Sequence, residues 1–446
     1  MRRKEFIKRS TLTVGAGIVA PYILPSGRLF AKSGIEKAEH VVMVMFAGGV
    51  RQQESILGRY LEDSQGVSGV AGNIMPNLFT GNAPTKKIVY GQDIPGQTRG
   101  SDPIPRLLTD ALANKGMIFN EVRAQSAGHY VGLNTLLTGS VSTAQGLKTR
   151  PLSPTIFEYL RKHRGFKATD CWFVGNGIGN STPLLNASTN ESYGLNFGAN
   201  MFIPPIAFGS YGQNTLSNSK AYSNNELKPM YEMKNFLNNS FALENSRQTT
   251  IKNTDDERTH IKEFMRATYT KQSLGQIAMP PAASSNDAFN VAYSAEILKE
   301  FKPKMLAVNI SEVDGCHSNF TGYLRSLHRA DHITGWLYDY IQNNIPEMKD
   351  NTVFIVAPEC GRNLNPNPIL DENDWMAFDH SDANSLRVWS LMVGKNVPKI
   401  SVGSEGNPIG RLTDLVPTIA DIFGVYDDVM NSGFIDPMAM SQFLRV

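Results

Sequence analysis

HVVMVMFAGGVRQQES, His40 to Ser55, begins with a histidine followed by six apolar residues. A run of that length, rich in valine, reads as a strand buried on both faces. It stops at Ala47-Gly48-Gly49. Where a buried strand breaks into glycines at its carboxyl end, the backbone can come unusually close to a ligand or to another segment. No carboxylate, hydroxyl or thiol stands at the turn itself, so its meaning depends on what lies beside it.

Three further runs, at 41–46's own scale, occupy 305–310, 352–357 and 388–393 and have the composition of buried parallel strands. Helical patterns fall at 104–114, 153–164, 319–343 and 411–423. Ser153-Pro154-Thr155 supplies start chemistry for the second of these, and Gly165 closes it. Strand followed by helix, repeated, predicts an α/β sheet covered on both faces. From about 176 to 253 the texture changes to Asn, Ser, Gly and Tyr, which reads as a surface excursion or cap. A charged helix is expected at 255–276, after which MPPAASSND returns the chain to the core.

The chain has 446 residues, 41% hydrophobic and 19% charged, enough to bury a large core. Its formal charge of +2 comes from the first 31 residues, which hold six Lys/Arg and one acid; the remainder carries 37 basic and 40 acidic residues. Basic residues are scattered rather than striped, which argues against a nucleic-acid partner. The start, MRRKEFIKRSTLTVGAGIVAPYILPSGRLFA, has a basic head, a modest apolar run and a small-residue cleavage point near Ala31. Residues 1–31 therefore read as an export signal, twin-arginine-like or of the ordinary secretory kind, and 32–446 as a single periplasmic or exported domain with a cap or insertion at about 176–290. The apolar run is short for a bilayer, so no stable membrane span is expected once the signal is cleaved. Three cysteines, Cys171, Cys316 and Cys360, make no disulfide framework, and no zinc-finger spacing appears.

The residues just after each strand carry the chemistry. After 305–310 comes SEVDGCHSNF, with Glu312, Asp314, Cys316 and His317; after 352–357 comes PECGRN, with Glu359, Cys360 and Arg362. FDHSD adds Asp379, His380 and Asp382 ahead of the fourth strand. Neighbouring strands would bring these turns together. Mixed oxygen and imidazole donors suit a divalent ion such as zinc, manganese, iron or calcium, which polarises an ester oxygen and acidifies water. Taken singly, such residues more often cap helices or pair across loops; shared placement at strand ends favours a metal role for Asp314, His317, Glu359 and His380. Cys316 and Cys360 read as small buried residues, with a disulfide between their turns the minor alternative. SAGHYVGLNTLLTGS places His129 beside two glycines, where it reads equally as a ligand, an acid/base group or a structural histidine. His328, Asp331 and His332 on one helix lack the H-E-x-x-H pattern and read as a polar face.

In this order the motifs resemble the alkaline phosphatase/sulfatase superfamily. VVMVMFAGGVR is similar to its opening strand and turn, MPNLFT (75–80) to the stretch that introduces its first helix, and NTLLTG (134–139) to the end of its nucleophile helix. TIFEYLRKHRGF, the segment from 308 to 341, NTVFIVAPECGRN and GRLTDLVPTIADIFGV resemble the elements that follow. PECGRN with FDHSD and the leader is similar to the exported sulfatase-like proteins of unknown function. The resemblance implies a three-layer α/β/α sandwich with a mainly parallel sheet. It also implies Asp314 and His317 as ligands of one metal, Glu359 in the place of an aspartate ligand and His380 as the last histidine. This chain departs from the pattern in having Gly48 or Ala47 where catalytic members carry Asp, His129 where the nucleophile would fall and Cys360 in place of a histidine. Asp314 to His317 is also one residue shorter than the usual spacing.

Two functions follow as expectations. In one, a reduced metal site hydrolyses a phosphate or sulfate ester, with zinc, manganese or calcium bound, His129 acting as ligand or proton-transfer group and Arg362 gripping an anionic oxygen. In the other, a non-catalytic protein on the same fold binds an anionic or glycan ligand or a partner protein. Glu54 would replace the missing aspartate only if the turn folds back.

Overall fold

The computed structural model describes residues 36–61, 65, 71–84, 103–141, 149–175, 178, 184–208 and 251–446, together with two short strands, β1 (Tyr22–Ile23) and β2 (Leu29–Phe30), paired antiparallel. The rest of the leader, and most of the expected cap between 176 and 250, lie outside the described residues. No described helix is long and apolar enough to cross a membrane.

Eight strands form one sheet: β3 (His40–Phe46), β4 (Met117–Arg123), β5 (Cys171–Val174), β6 (Asn200–Phe202), β7 (Met305–Ile310), β8 (Thr352–Pro358), β9 (Arg387–Gly394) and β10 (Ile400–Val402). Their order is β10-β4-β9-β8-β3-β7-β5-β6. Side chains alternate across a strand, so each strand feeds two cores. Val42, Val44 and Phe46 of β3 pack with residues from α4 (Asn286–Phe301) and α5 (Phe320–Asn344). Val41, Met43 and Met45 pack on the opposite face with residues from α1 (His129–Thr138), α2 (Ile156–Arg164) and α6 (Leu415–Ile422). The result is a three-layer α/β/α sandwich, and it explains why β3, β7 and β8 are apolar at every position but few. The charged helix α3 (Asp255–Ser273) starts at a capping box in which Glu257 Oε2 accepts from Thr254 N at 2.7 Å and Thr254 Oγ1 accepts from Glu257 N at 3.2 Å. The start of α2 is sharper than expected: the helix begins at Ile156, and Glu158 Oε2 accepts from Thr155 N and Oγ1 at 2.7 and 2.8 Å.

One strand runs against its neighbours. The 388–393 run, expected as parallel, is β9, antiparallel to both β8 and β4. A strand buried on both faces is equally apolar in either direction, so composition carries no sense of direction. The reversal has a consequence for function. A parallel crossover would carry the chain back to the other end of the sheet, whereas here residues 359–386 stay at the carboxyl end of β8, with one short 3-10 turn at Ala383–Leu386.

The helix expected at 104–114 does not form; only a 3-10 turn, Leu112–Asn114, is present. Pro105 pushes Ile104 out of helical geometry. The amides that a helix would use point elsewhere: Ile104 N donates to His328 Nε2 at 2.9 Å, and Leu107 N and Leu108 N donate to Asn77 Oδ1 at 2.9 and 3.0 Å. Asn77 is itself held by Asp331 Oδ2, which accepts from its side-chain amide at 2.7 Å. The MPNLFT stretch is accordingly a turn clamped to α5 rather than a helix. His328, Asp331 and His332 are buried in this clamp, and His332 Nε2 donates to Pro281 O at 2.7 Å.

The clamp fixes a tautomer. His328 Nδ1 faces Ile74 O at 2.7 Å and must donate, so Nε2 accepts from Ile104 N and has no room for a proton. Burial, with His332 and Arg329 nearby, lowers His328 to about 4 from its ordinary 6.5. A histidine depressed in the folded state stabilises fully above its unfolded value and loses that contribution as pH falls toward 4, a span worth about 3 kcal/mol. Burial lifts Asp331 to about 7, which acts in the opposite sense. Comparing wild type with His328→Gln cancels the Asp331 contribution. Urea melts at pH 7 and pH 4.5 should show the variant losing roughly 2 kcal/mol less than wild type; equal losses would sink this account.

Candidate metal centre

At the carboxyl end of β3 the glycine turn is shaped by two neighbours. Gly48 has φ +118°, and a Cβ there would lie 2.3 Å from Asp314 N and 2.6 Å from Asp314 Cα. The turn therefore exists to let its backbone pass against that of Asp314. Its amides point at Glu359, just past β8: Oε1 accepts from Gly48 N at 2.7 Å and Gly49 N at 3.2 Å, and Oε2 accepts from Cys360 N at 3.1 Å. Glu359 is fully buried, and α1 crosses so near it that a Cβ on Gly132 would sit 2.4 Å from Glu359 O. The carboxylate missing from the turn is thus supplied by the neighbouring strand.

His129, the first residue of α1, takes the remaining capacity of that carboxylate: its Nδ1 lies 2.7 Å from Glu359 Oε1. Its Nε2 lies 3.1 Å from Asp314 Oδ1, an ion-pair contact without hydrogen-bond geometry that leaves this buried nitrogen without a hydrogen-bond partner. His317 repeats the arrangement. Nδ1 is 2.8 Å from Asp379 Oδ1, and Nε2 is 3.6 Å from the same Asp314 Oδ1. Asn367 braces the pair, donating to Asp379 Oδ2 and His317 O, both at 3.1 Å. His380 completes the group, its ring centroid 3.9 Å from that of His129 and 4.9 Å from that of His317. One nitrogen from each of the three histidines lies within 4.8 Å of the others. Two imidazoles whose Nδ1–H is held by a carboxylate, with Nε2 turned to a shared point, match the way metal-ligating histidines are oriented.

Charge at the site is consistent with that use. Burial opposes a charged His129, but contacts with Asp314, Cys360 and Glu359 outweigh it and raise the ring to about 12. Nε2 facing a carboxylate at 3.1 Å calls for a cation between or upon them: a proton or a metal ion. Asp314 is pulled up by burial and, more strongly, held below the usual carboxylate range by His129, Arg362 and His317. Burial and the neighbouring positive charges lower His380 to about 4, so its ring is neutral near pH 7, and its buried Nδ1 has no hydrogen-bond partner. Nitrogen and oxygen donors with unused lone pairs fit a divalent ion such as zinc, manganese or iron.

Asp314, His317 and His380 are therefore brought together as the strand-end reading requires. Glu359 and Arg362 are placed differently from that reading. Glu359 has both oxygens engaged by four N–H groups and stands behind His129, and His129 occupies the position facing Asp314. Arg362 is fully buried. It donates to Gly48 O through Nε at 2.9 Å and through Nη2, to Phe378 O at 3.1 Å, and to Asp314 Oδ1 at 3.0 Å. It positions the glycine turn and Asp314 instead of reaching solvent. Glu54 does not fold back; it is buried and paired with Arg51 at 2.9 Å. Cys171, Cys316 and Cys360 are free and buried. His129, Glu359 and Cys360 form a second close group, but the Glu359 oxygens are already engaged by backbone amides and by His129 Nδ1, and burial pushes the Cys360 thiol up to about 11. Asp379 and Asn367 had no assigned role in the sequence; the adjacency of Asp379 to His380 was the available signal.

No family model matches the chain, and no curated protein matches it. Among solved structures it is similar to wild-type alkaline phosphatase PafA, at 10% identity and a TM-score of 0.46, over 92% of this chain and 99% of that one. A protein in the alkaline phosphatase superfamily from Vibrio parahaemolyticus has 13% identity and a TM-score of 0.40, over 95% and 76%. A 2-O GAG sulfatase has 11% identity and a TM-score of 0.42, over 91% and 73%. At these identities the centre is read from its own geometry.

Proposed function

We propose that the chain is an exported, metal-dependent hydrolase of phosphate or sulfate esters on an alkaline phosphatase-like fold, with one reduced metal centre. The observation that supports this best is the paired arrangement Glu359–His129 and Asp379–His317, with both Nε2 atoms directed to Asp314 Oδ1 at 3.1 and 3.6 Å. His129, Asp314, His317 and His380 would hold the ion. Once bound, a divalent ion there would polarise the ester oxygen and lower the pKa of water. Glu359 and Asp379 keep the imidazole protons on Nδ1, and Arg362 holds Asp314 and the turn in register. Cys360, buried and protonated, is no nucleophile, and Ser126 Oγ accepts from Gly128 N at 3.0 Å. Direct attack by water therefore suits the residues better than a covalent intermediate. Half-exposed His317 and Asp379 give the ester its approach.

The second reading, a ligand- or partner-binding protein on the same fold, draws support from the turn, which has no carboxylate of its own and whose amides are taken by Glu359, so it adds no ligand for a second metal. Zinc and manganese content of the purified chain, with p-nitrophenyl phosphate, bis-p-nitrophenyl phosphate and p-nitrophenyl sulfate as substrates, separates the two. The enzyme reading expects stoichiometric metal and turnover that chelation removes and metal restores. Metal without turnover on any ester favours the second reading, and the absence of both overturns a metal enzyme.

A further inference from the structure

A cavity of about 580 Å³ opens beside the carboxyl end of β4; none of the metal centre's ligands lines it, and its wall includes Arg123, Gln125, Val141, Arg411, Phe434 and Asp436. The volume is within the range of sites that enclose small ligands. Two features give it a chemical character. A parallel bridge sets Arg123 beside Arg411, and Arg123 N donates to Gly410 O at 3.2 Å, so two guanidinium groups share one wall. Exposed Arg123 has no acidic partner among the described residues, while Arg411 has only Asp436, at 3.5 Å. Asp436 is itself held by Thr413 Oγ1 at 3.2 Å and by Met438 N at 2.9 Å. Two cations and one tethered anion leave a positive excess. The rest of the wall is mixed, with Gln125 and Ser140 beside an apolar and partly aromatic part in which Val141 and Phe434 are both exposed.

We propose that this cleft is a binding site for an amphiphilic anion, a sulfonate, sulfate or carboxylate group carried on an aromatic or alkyl body. The anionic group sits against Arg123 and Arg411, where planar guanidinium forks match its oxygens. The apolar body lies on Phe434 and Val141. The cleft is connected to the metal centre through the chain: Arg123 and Gln125 lead into His129, and Leu386 of the lining follows His380. Binding here does not depend on hydrolysis or on metal, which keeps it separate from the function proposed above.

Calorimetry on the folded chain tests it with 2-naphthalenesulfonate as the probe, and 2-naphthol and sodium sulfate as controls. Wild type should bind the sulfonate, and bind it at least tenfold more tightly than either control, with the same Kd in zinc-loaded and chelated protein. Arg123→Gln, at an exposed position that leaves the fold intact, should weaken the sulfonate about tenfold and leave 2-naphthol unchanged. Phe434→Ala should weaken both. An unchanged Kd in Arg123→Gln, equal affinity for sulfonate and naphthol, binding that requires zinc, or no sulfonate binding at millimolar concentration would each overturn the proposal.

Discussion

Asp314→Asn is expected to lose stoichiometric metal while keeping its fold. Asp314 Oδ1 is the point on which the centre converges: His129 Nε2 lies at 3.1 Å, Arg362 Nη2 at 3.0 Å and His317 Nε2 at 3.6 Å. Removing the charge leaves three imidazoles and a guanidinium with no anion between them, so a bound cation would face repulsion in place of attraction. Replacing an outer carboxylate that only orients a histidine costs ten- to a hundredfold in metal affinity. Losing the shared anionic donor itself should cost more, on the order of a hundredfold or above. Asparagine still offers Arg362 an oxygen, and Arg362 also donates to Asp314 O at 3.2 Å, so the guanidinium is not stranded. The expected result is a melting midpoint near wild type with metal content close to zero after dialysis, together with loss of any ester hydrolysis. Stoichiometric metal in a folded Asp314→Asn protein would remove Asp314 from the centre.

The legible strands, β3, β7, β8 and β9, are buried along all or nearly all of their length, so inside them only Asn309 and Ser390 interrupt the apolar runs. β4 was hidden because MIFNEVR carries Asn120 and Glu121 inside the strand. Both are satisfied by distant partners: Glu121 pairs with Arg387 at 2.9 Å, and Asn120 donates to Ser401 Oγ at 2.8 Å. Such partners cannot be found from local pattern. The reversed direction of β9 was invisible for the opposite reason, since its composition suits either direction.

At the metal centre, position was easier to read than role. Asp314, His317, Glu359 and His380 follow strands or precede one, and the order of the sheet brings them together. Which oxygen faces a metal and which faces a backbone amide depends on the path of the glycine turn. Once Gly48 and Gly49 present their amides, Glu359 is drawn to them and to His129 Nδ1, and His129 becomes the group facing Asp314. No spacing in the sequence encodes that exchange.

The turn itself makes the second large prediction. Gly48→Ala should destabilise the fold by roughly 2–6 kcal/mol. One part is conformational: at φ +118° a residue with a Cβ is strained, by about 1–3 kcal/mol. The other is steric, because the new Cβ would stand 2.3 Å from Asp314 N, and backbone cannot swing aside as the tip of a side chain can. Asp314 N is tied to Ser311 O at 3.2 Å, and Gly48 N to Glu359 Oε1 at 2.7 Å, so relief on either side breaks a contact of the centre. Overpacking at a rigid position adds about 1–3 kcal/mol. Gly315→Ala is the control, one residue beyond Asp314: a Cβ there meets nothing within 4 Å, and its change should stay within about 0.5 kcal/mol. Urea denaturation of the two variants reads the difference directly. Similar midpoints would mean that the turn can move away from Asp314, and then the close approach between the two strands would not be what holds the centre in shape.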